Sequence, residues 1–130
     1  MAKFANDLIM DAALDFVISN CDSFAVCAGE PADYGAATTL NSQTGGNQLG
    51  STSVSSSDFT KANGDTSGRK VTVSGQSGIT VDADGTADHV ALLDDTNSRI
   101  ILTTILPSQG VTSGGEMTTD PFDEEIEDPS

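Results

Sequence analysis

Turn-forming residues recur through the second half of this chain and cut it into pieces too short for helices. Asn63-Gly64-Asp65, Gly75 to Gly78, Asp84-Gly85, Asp94 to Ser98, Gly110 and Gly114-Gly115 each combine glycine with residues that bond their own backbone. Between them, Arg69-Lys70-Val71-Thr72-Val73 and Ile79-Thr80-Val81-Asp82 alternate apolar and polar positions, which is the period of a half-buried strand. Asp84-Gly85 is expected to reverse the chain into Ala87 to Leu93, and Asp94 to Ser98 then joins that run to Arg99 to Leu106. The last two runs are nearly continuous in apolar residues and read as a central hairpin covered on both faces. Short links of this kind join antiparallel neighbours, because a parallel crossover needs a dozen residues or more.

The first twenty residues follow a different period. Phe4, Leu8, Ala12 and Phe16 recur every fourth residue, with Ile9, Ala13 and Val17 beside them and Asp7, Asp11 and Asp15 stacked on another face. This spacing predicts a helix over about residues 6–19, capped by Asn6 and ended near Asn20, with the Phe16 stripe inward or docked on a partner. Ser23 to Ala28 then reads as a strand closed by Gly29-Glu30-Pro31. Residues 41–57 hold only Leu49 and Val54 as large apolar residues, so they read as a long loop or a weakly paired excursion. Met117 to Thr119 is a further short strand, with residues 59–119 forming the β-rich part. The acidic C-terminal segment, residues 120–130, is a solvated tail by composition. By alternation it is instead a charge-guarded edge strand, with Phe122, Glu124 and Ile126 on one face and Asp123, Glu125 and Glu127 on the other. The fold expected is a single α+β domain over residues 1–130, an N-terminal helix packed on a mainly antiparallel β-sheet or sandwich. Its core is expected from Leu8, Ala12, Phe16, Phe24, Val26, Val71, Val73, Val81, Val90, Leu92, Ile101 and Ile105.

Charge narrows the classes of partner. Five Lys and Arg face 20 Asp and Glu, for a net charge of −15, so nucleic acid and anionic membranes would repel the chain. No stretch approaches the roughly 18 consecutive apolar residues of a membrane span, and Asp7 interrupts the N-terminus before a leader could develop. The chain is therefore expected to be made in the cytoplasm and to stay soluble. With 36% hydrophobic residues and 43 Ser, Thr and Gly, it has apolar surface for one modest core.

Reactive chemistry is sparse. His89 is the only histidine, shares a strand face with Ala87, Ala91 and Leu93, and has no nucleophile motif around it. Cys21 and Cys27 fit neither a redox pair nor a zinc site, and a strand between them would hold them about 20 Å apart, too far for a disulfide. Asp82, Asp84 and Asp88 around Gly85 faintly suggest a calcium loop, but no third acid precedes the glycine and no Glu closes it. Gly45-Gly46 and Gly114-Gly115 lack a phosphate-loop pattern. No catalytic, cofactor-binding or metal-binding residue can therefore be assigned, and no cofactor and no enzymatic activity are expected.

Several segments nevertheless carry a resemblance. Lys3-Phe4-Ala5-Asn6-Asp7 with the helix to Asn20, Gly64-Asp65-Thr66-Ser67-Gly68-Arg69-Lys70-Val71-Thr72-Val73, Gly78-Ile79-Thr80-Val81-Asp82, Gly85-Thr86-Ala87-Asp88-His89-Val90-Ala91-Leu92 and Ile126-Glu127-Asp128-Pro129 resemble a family of small structural proteins of tailed bacteriophages. The likeness spans nearly the whole chain and departs from the family pattern at Thr119-Asp120-Pro121-Phe122. It implies a place in the virion. The further expectation is a capsid decoration or cement protein whose partner is the major capsid protein, present in many copies or as a homo-oligomer. Contacts are expected through residues 35–57 and the Lys3-Phe4 end. The alternatives are a head–tail connector, tail or fibre-associated component, and a calcium- or carbohydrate-binding module.

Overall fold

A computed structural model describes residues 6–128. Asn6 caps helix α1 (Asp7–Asn20), its side-chain oxygen accepting the Leu8 amide at 2.8 Å, and Asp7 complements the positive end of the helix. Strands β1 (Ser23–Cys27), β2 (Gln48–Ser53), β6 (Gly85–Asp94) and β7 (Arg99–Val111) form one antiparallel sheet in the order β2-β1-β6-β7. Strands β3 (Phe59–Asn63), β4 (Arg69–Val73) and β9 (Phe122–Ile126) form a second, β3-β4-β9, also antiparallel. Two short strands, β5 (Ile79–Thr80) and β8 (Glu116–Met117), pair with each other, and a one-turn helix α2 (Tyr34–Thr38) precedes β2. Of the described residues 44% are strand and 18% helix, so the fold is α+β with an N-terminal helix and mainly antiparallel sheets.

The principal core lies between the two sheets and α1. Phe24, Val26, Leu49, Val71, Val73, Val81, Val90 and Leu92 are fully or nearly fully buried there, with Leu14 and Cys21 entering from α1 and the residue after it. A second, smaller cluster occupies the opposite face of the four-stranded sheet, where Ala25, Cys27, Ala91 and Leu93 meet Ala37 of α2. Alternate residues of β1 and β6 thus point into two different cores. The α2 side is lined mostly by alanine, which lets a short helix approach the sheet closely.

Several expectations need correction. The helix turns the other way: Met10 and Leu14 are 3% exposed, with Val17 and Ile18 packed beside them, whereas Leu8 is 77% and Phe16 45% exposed and Ala12 also faces outward. Apolar residues encircle most of α1, so spacing alone does not choose a face. Asp11 and Asp15 decide it, because they border the buried stripe and reach down to Arg69 of β4 and Lys61 of β3 at 2.8 and 2.7 Å. Phe4, the first residue of the expected stripe, lies outside the described residues.

Residues 41–57 are not one loop. Gln48–Ser53 is β2, because a ladder needs only backbone groups, and Gly50 permits the close approach: a Cβ there would sit 2.3 Å from the Thr80 carbonyl oxygen. Asp84-Gly85 does not fold β5 back on β6. Instead β5 pairs with β8, Ile79 opposite Met117, and the Asp84 carboxylate accepts the Ser113 amide at 2.7 Å. The hairpin β6–β7 forms as expected, yet only β6 is covered on both faces; β7 is an edge, Ile101 is half-buried and Ile105 is 77% exposed. Residues 122–126 of the acidic segment are the edge strand, with Phe122 opposite Val73 and its ring 6.2 Å from that of Phe24.

Candidate interaction surface

The reactive side chains are used up in structural bonds. His89 Nδ1 lies 2.8 Å from Asp88 Oδ1, which also accepts the Gly29 amide at 2.7 Å. These two bonds hold the Asp88 carboxyl below the usual range. Asp84 serves Ser113, so the acids around Gly85 hold distant backbone in place and do not converge on one point. Among the described residues no group of three or more His, Cys, Asp or Glu is placed to hold a metal ion. Both thiols are free and buried, in different cores; burial pushes Cys21 up to about 11 and Cys27 to about 12, which keeps them protonated and unreactive at neutral pH. A cleft of about 110 Å³ between β7 and the β8–β9 connection is lined by Val26, Ala87, Leu106, Met117 and Thr119, and Asp120 is its one titratable side chain. One exposed carboxylate without a partner base supplies no acid–base pair.

The cations are committed as well. Each of the four among the described residues faces a carboxylate of the same chain: Lys61 to Asp15, Arg69 to Asp11, Lys70 to Asp65 and Asp123, Arg99 to Asp94. Lys70 ties the β3–β4 turn to β9 at 2.7 and 3.0 Å. Asp94, 1% exposed at the β6–β7 turn, accepts bonds from Asn97 and Arg99, and these, the Asn97 side chain first, lower its pKa. With these cations paired, the surplus acids dominate the field that a partner meets.

Two surfaces break this acidic pattern. The outer side of α1 carries Leu8, Ile9, Ala12, Ala13 and Phe16, all exposed, as a continuous apolar ridge. At its C-terminal end Phe16 lies under the Arg99 guanidinium, 4.9 Å from ring centroid to cation, so the ridge abuts the start of β7. The second surface is β7 itself, which carries no charge from Ile100 to Val111. The α1 stripe is thus free for docking, the second of its two expected uses, while the exposure of Leu8, Phe16 and Ile105 corrects their expected place in the core. A usable signal existed, since α1 has more apolar positions than one buried stripe can absorb.

The expected contact segments are separated. Residues 35–57 spread over α2, β2 and a 3-10 turn (Ser56–Asp58) and leave Ser42 to Gly45 as their exposed tip, while α1 lies over β3 and β4. Lys3 lies outside the described residues. The chain matches no protein-family model, no curated protein and no solved structure.

Proposed function

We propose that this chain is a non-enzymatic structural protein of a tailed-phage virion, a decoration or cement protein that docks in many copies on the assembled head through the outer ridge of α1. The observation that carries the docking step is the exposure of Leu8, Ile9 and Phe16 on a helix whose inner face is already satisfied by Met10 and Leu14. A contiguous apolar surface on an otherwise acidic domain is what a protein interface requires at its centre. The assignment to a virion rests on the sequence resemblance. The major capsid protein is the proposed partner, offering an apolar groove with a neutral or basic rim, since acidic rims would repel this chain.

Stabilisation would follow by mass action. A protein that binds only the assembled shell favours it by about 2.7 kcal/mol per site at a hundredfold excess over Kd. Purified heads incubated with the chain should bind it at a fixed ratio to the shell protein and release their contents at higher temperature. Ile9→Glu should lose binding while keeping its circular dichroism spectrum. Labelled protein found only at the tail or portal vertex would sink the decoration reading and leave a connector or tail component.

A further inference from the structure

We infer that β7 is a self-association edge, on which a second copy of this chain pairs its own β7 antiparallel about a two-fold axis, joining two four-stranded sheets into one of eight strands. Edge strands present a row of unused backbone donors and acceptors, and proteins guard them with charge, proline, bulges or a covering segment. The edges of this molecule differ sharply in that protection. β9 sets acids at three of its five positions, and β2 is capped, its Gln48 and Leu49 carbonyls accepting amides of Asn41 and Asp82 at 2.8 and 2.7 Å. The thirteen residues of β7 carry one charge, Arg99, at the end, and among the described residues their backbone bonds to no strand but β6.

Guarding on β7 brackets its middle: on the near side the ladder shifts register between Leu92–Leu102 and Leu93–Ile100. Pro107 lies where the β6 ladder is interrupted, between the pairs His89–Ile105 and Ala87–Gln109. Between these two irregularities Leu102 to Ile105 pair regularly with Leu92 to His89 and form an uncharged stretch. Ile105 stands 77% exposed beside it.

Charge selects the occupant. A basic partner would be drawn to the acidic surfaces, and nothing on Ile100 to Val111 would steer it to this edge. Two copies at −15 each repel over most of their surfaces, whereas on this edge β7 brings no carboxylate of its own and the one hydrogen-bonded to Ile100–Val111 among the described residues is Glu30, which accepts the Thr103 hydroxyl at 3.0 Å, so the opposing charge here is the least the surface offers. With β2 capped at Gln48 and Leu49, β9 acidic, and β3 only five residues long with Lys61 at its centre, each copy has one long uncharged edge, and an isologous pair uses both, so association closes at two and does not run on into a fibre. The inference stands apart from the virion reading, since it concerns the free chain.

The test uses the intact chain, with light scattering after size exclusion and amide hydrogen exchange at low and high protein concentration. The expected result is a monomer that becomes a dimer as concentration rises, with new protection confined to residues 100–106. Salt should strengthen the dimer by screening the repulsion. Ile105→Glu, at an exposed position, should weaken it at least about tenfold by setting like charges across the axis, and Thr104→Lys should do the same from the other face. A chain that stays monomeric at high concentration, a trimer or larger assembly, weakening by salt, or a dimer that protects α1 and ignores Ile105→Glu would each overturn the inference. Head binding by a strictly monomeric chain would leave the proposed function intact and sink this one; a β7 dimer that ignores heads would do the reverse.

Discussion

Helix α1 and strand β9 both pack on β4, and their compositions mislead in opposite directions. α1 is apolar almost all round, yet only Met10 and Leu14 are buried while Leu8, Ile9 and Phe16 face outward. β9 is Phe-Asp-Glu-Glu-Ile, acidic enough to pass for a solvated tail, yet it pairs with β4 along its length and packs Phe122 and Ile126 against the core. The contrast teaches that burial here follows from which backbone and charges a segment can engage beneath it. On α1, Asp11 and Asp15 find Arg69 and Lys61; on β9, Asp123 finds Lys70 and Thr72, the latter at 2.6 Å.

The sharpest way to break this comparison is on the helix. Leu14→Ala should cost about 2–5 kcal/mol in urea unfolding, whereas Leu8→Ala should stay within about 0.5 kcal/mol. Equal losses would mean that α1 has no inner and outer side. On β9, Phe122→Ala should cost about 1–3 kcal/mol, since the ring is half-buried against Phe24. A loss near zero would return the segment to a tail.

Acid sharpens the comparison further. Asp88, Asp94 and Asp123 have pKa values lowered in the fold, chiefly by bonds to His89, Asn97 and Thr72 respectively. Their contribution is complete above the unfolded carboxyl range and is lost as pH falls through the lowered folded values. Thermal unfolding should therefore move to lower temperature on acidification below about pH 4. Asp123→Asn should flatten that dependence.

Smaller effects follow on the exposed sides. Phe16→Ala should cost less than about 1 kcal/mol, mostly its contact with Arg99. Glu124 sits half-buried between Phe122 and Ile126, and desolvation raises its pKa, so its charge opposes folding at neutral pH and the penalty lifts as pH falls through that raised value. Glu124→Gln should stabilise by at most about 0.5 kcal/mol near pH 7, with the difference vanishing in acid.

Local chemistry made much of the architecture legible in the amino-acid order. Asn6 with the spacing behind it marks a helix, alternation marks Ser23 to Cys27 and Arg69 to Val73, and Asp94 to Ser98 marks the central hairpin, because caps, turns and strand periods act within a few residues. Of the candidate surface, the residues of α1 were visible but their orientation was not. Strand β2 shows in the sequence only as a weakly paired excursion, the alternative to a long loop, because its ladder depends on backbone supplied by β1, and α2 carries little signal because five residues with an Asp33 cap have little periodicity. The amino-acid order by itself determined an acidic α+β domain with a helix first and short antiparallel strands after it. Only tertiary structure decided which side of α1 is outer, that β7 is an open edge, and that residues 122–126 are held. The side of α1 and the hold on residues 122–126 depend on carboxylates and cations more than fifty residues apart meeting at β4, the β7 edge depends on the order of strands in the sheet, and no local rule carries those distances.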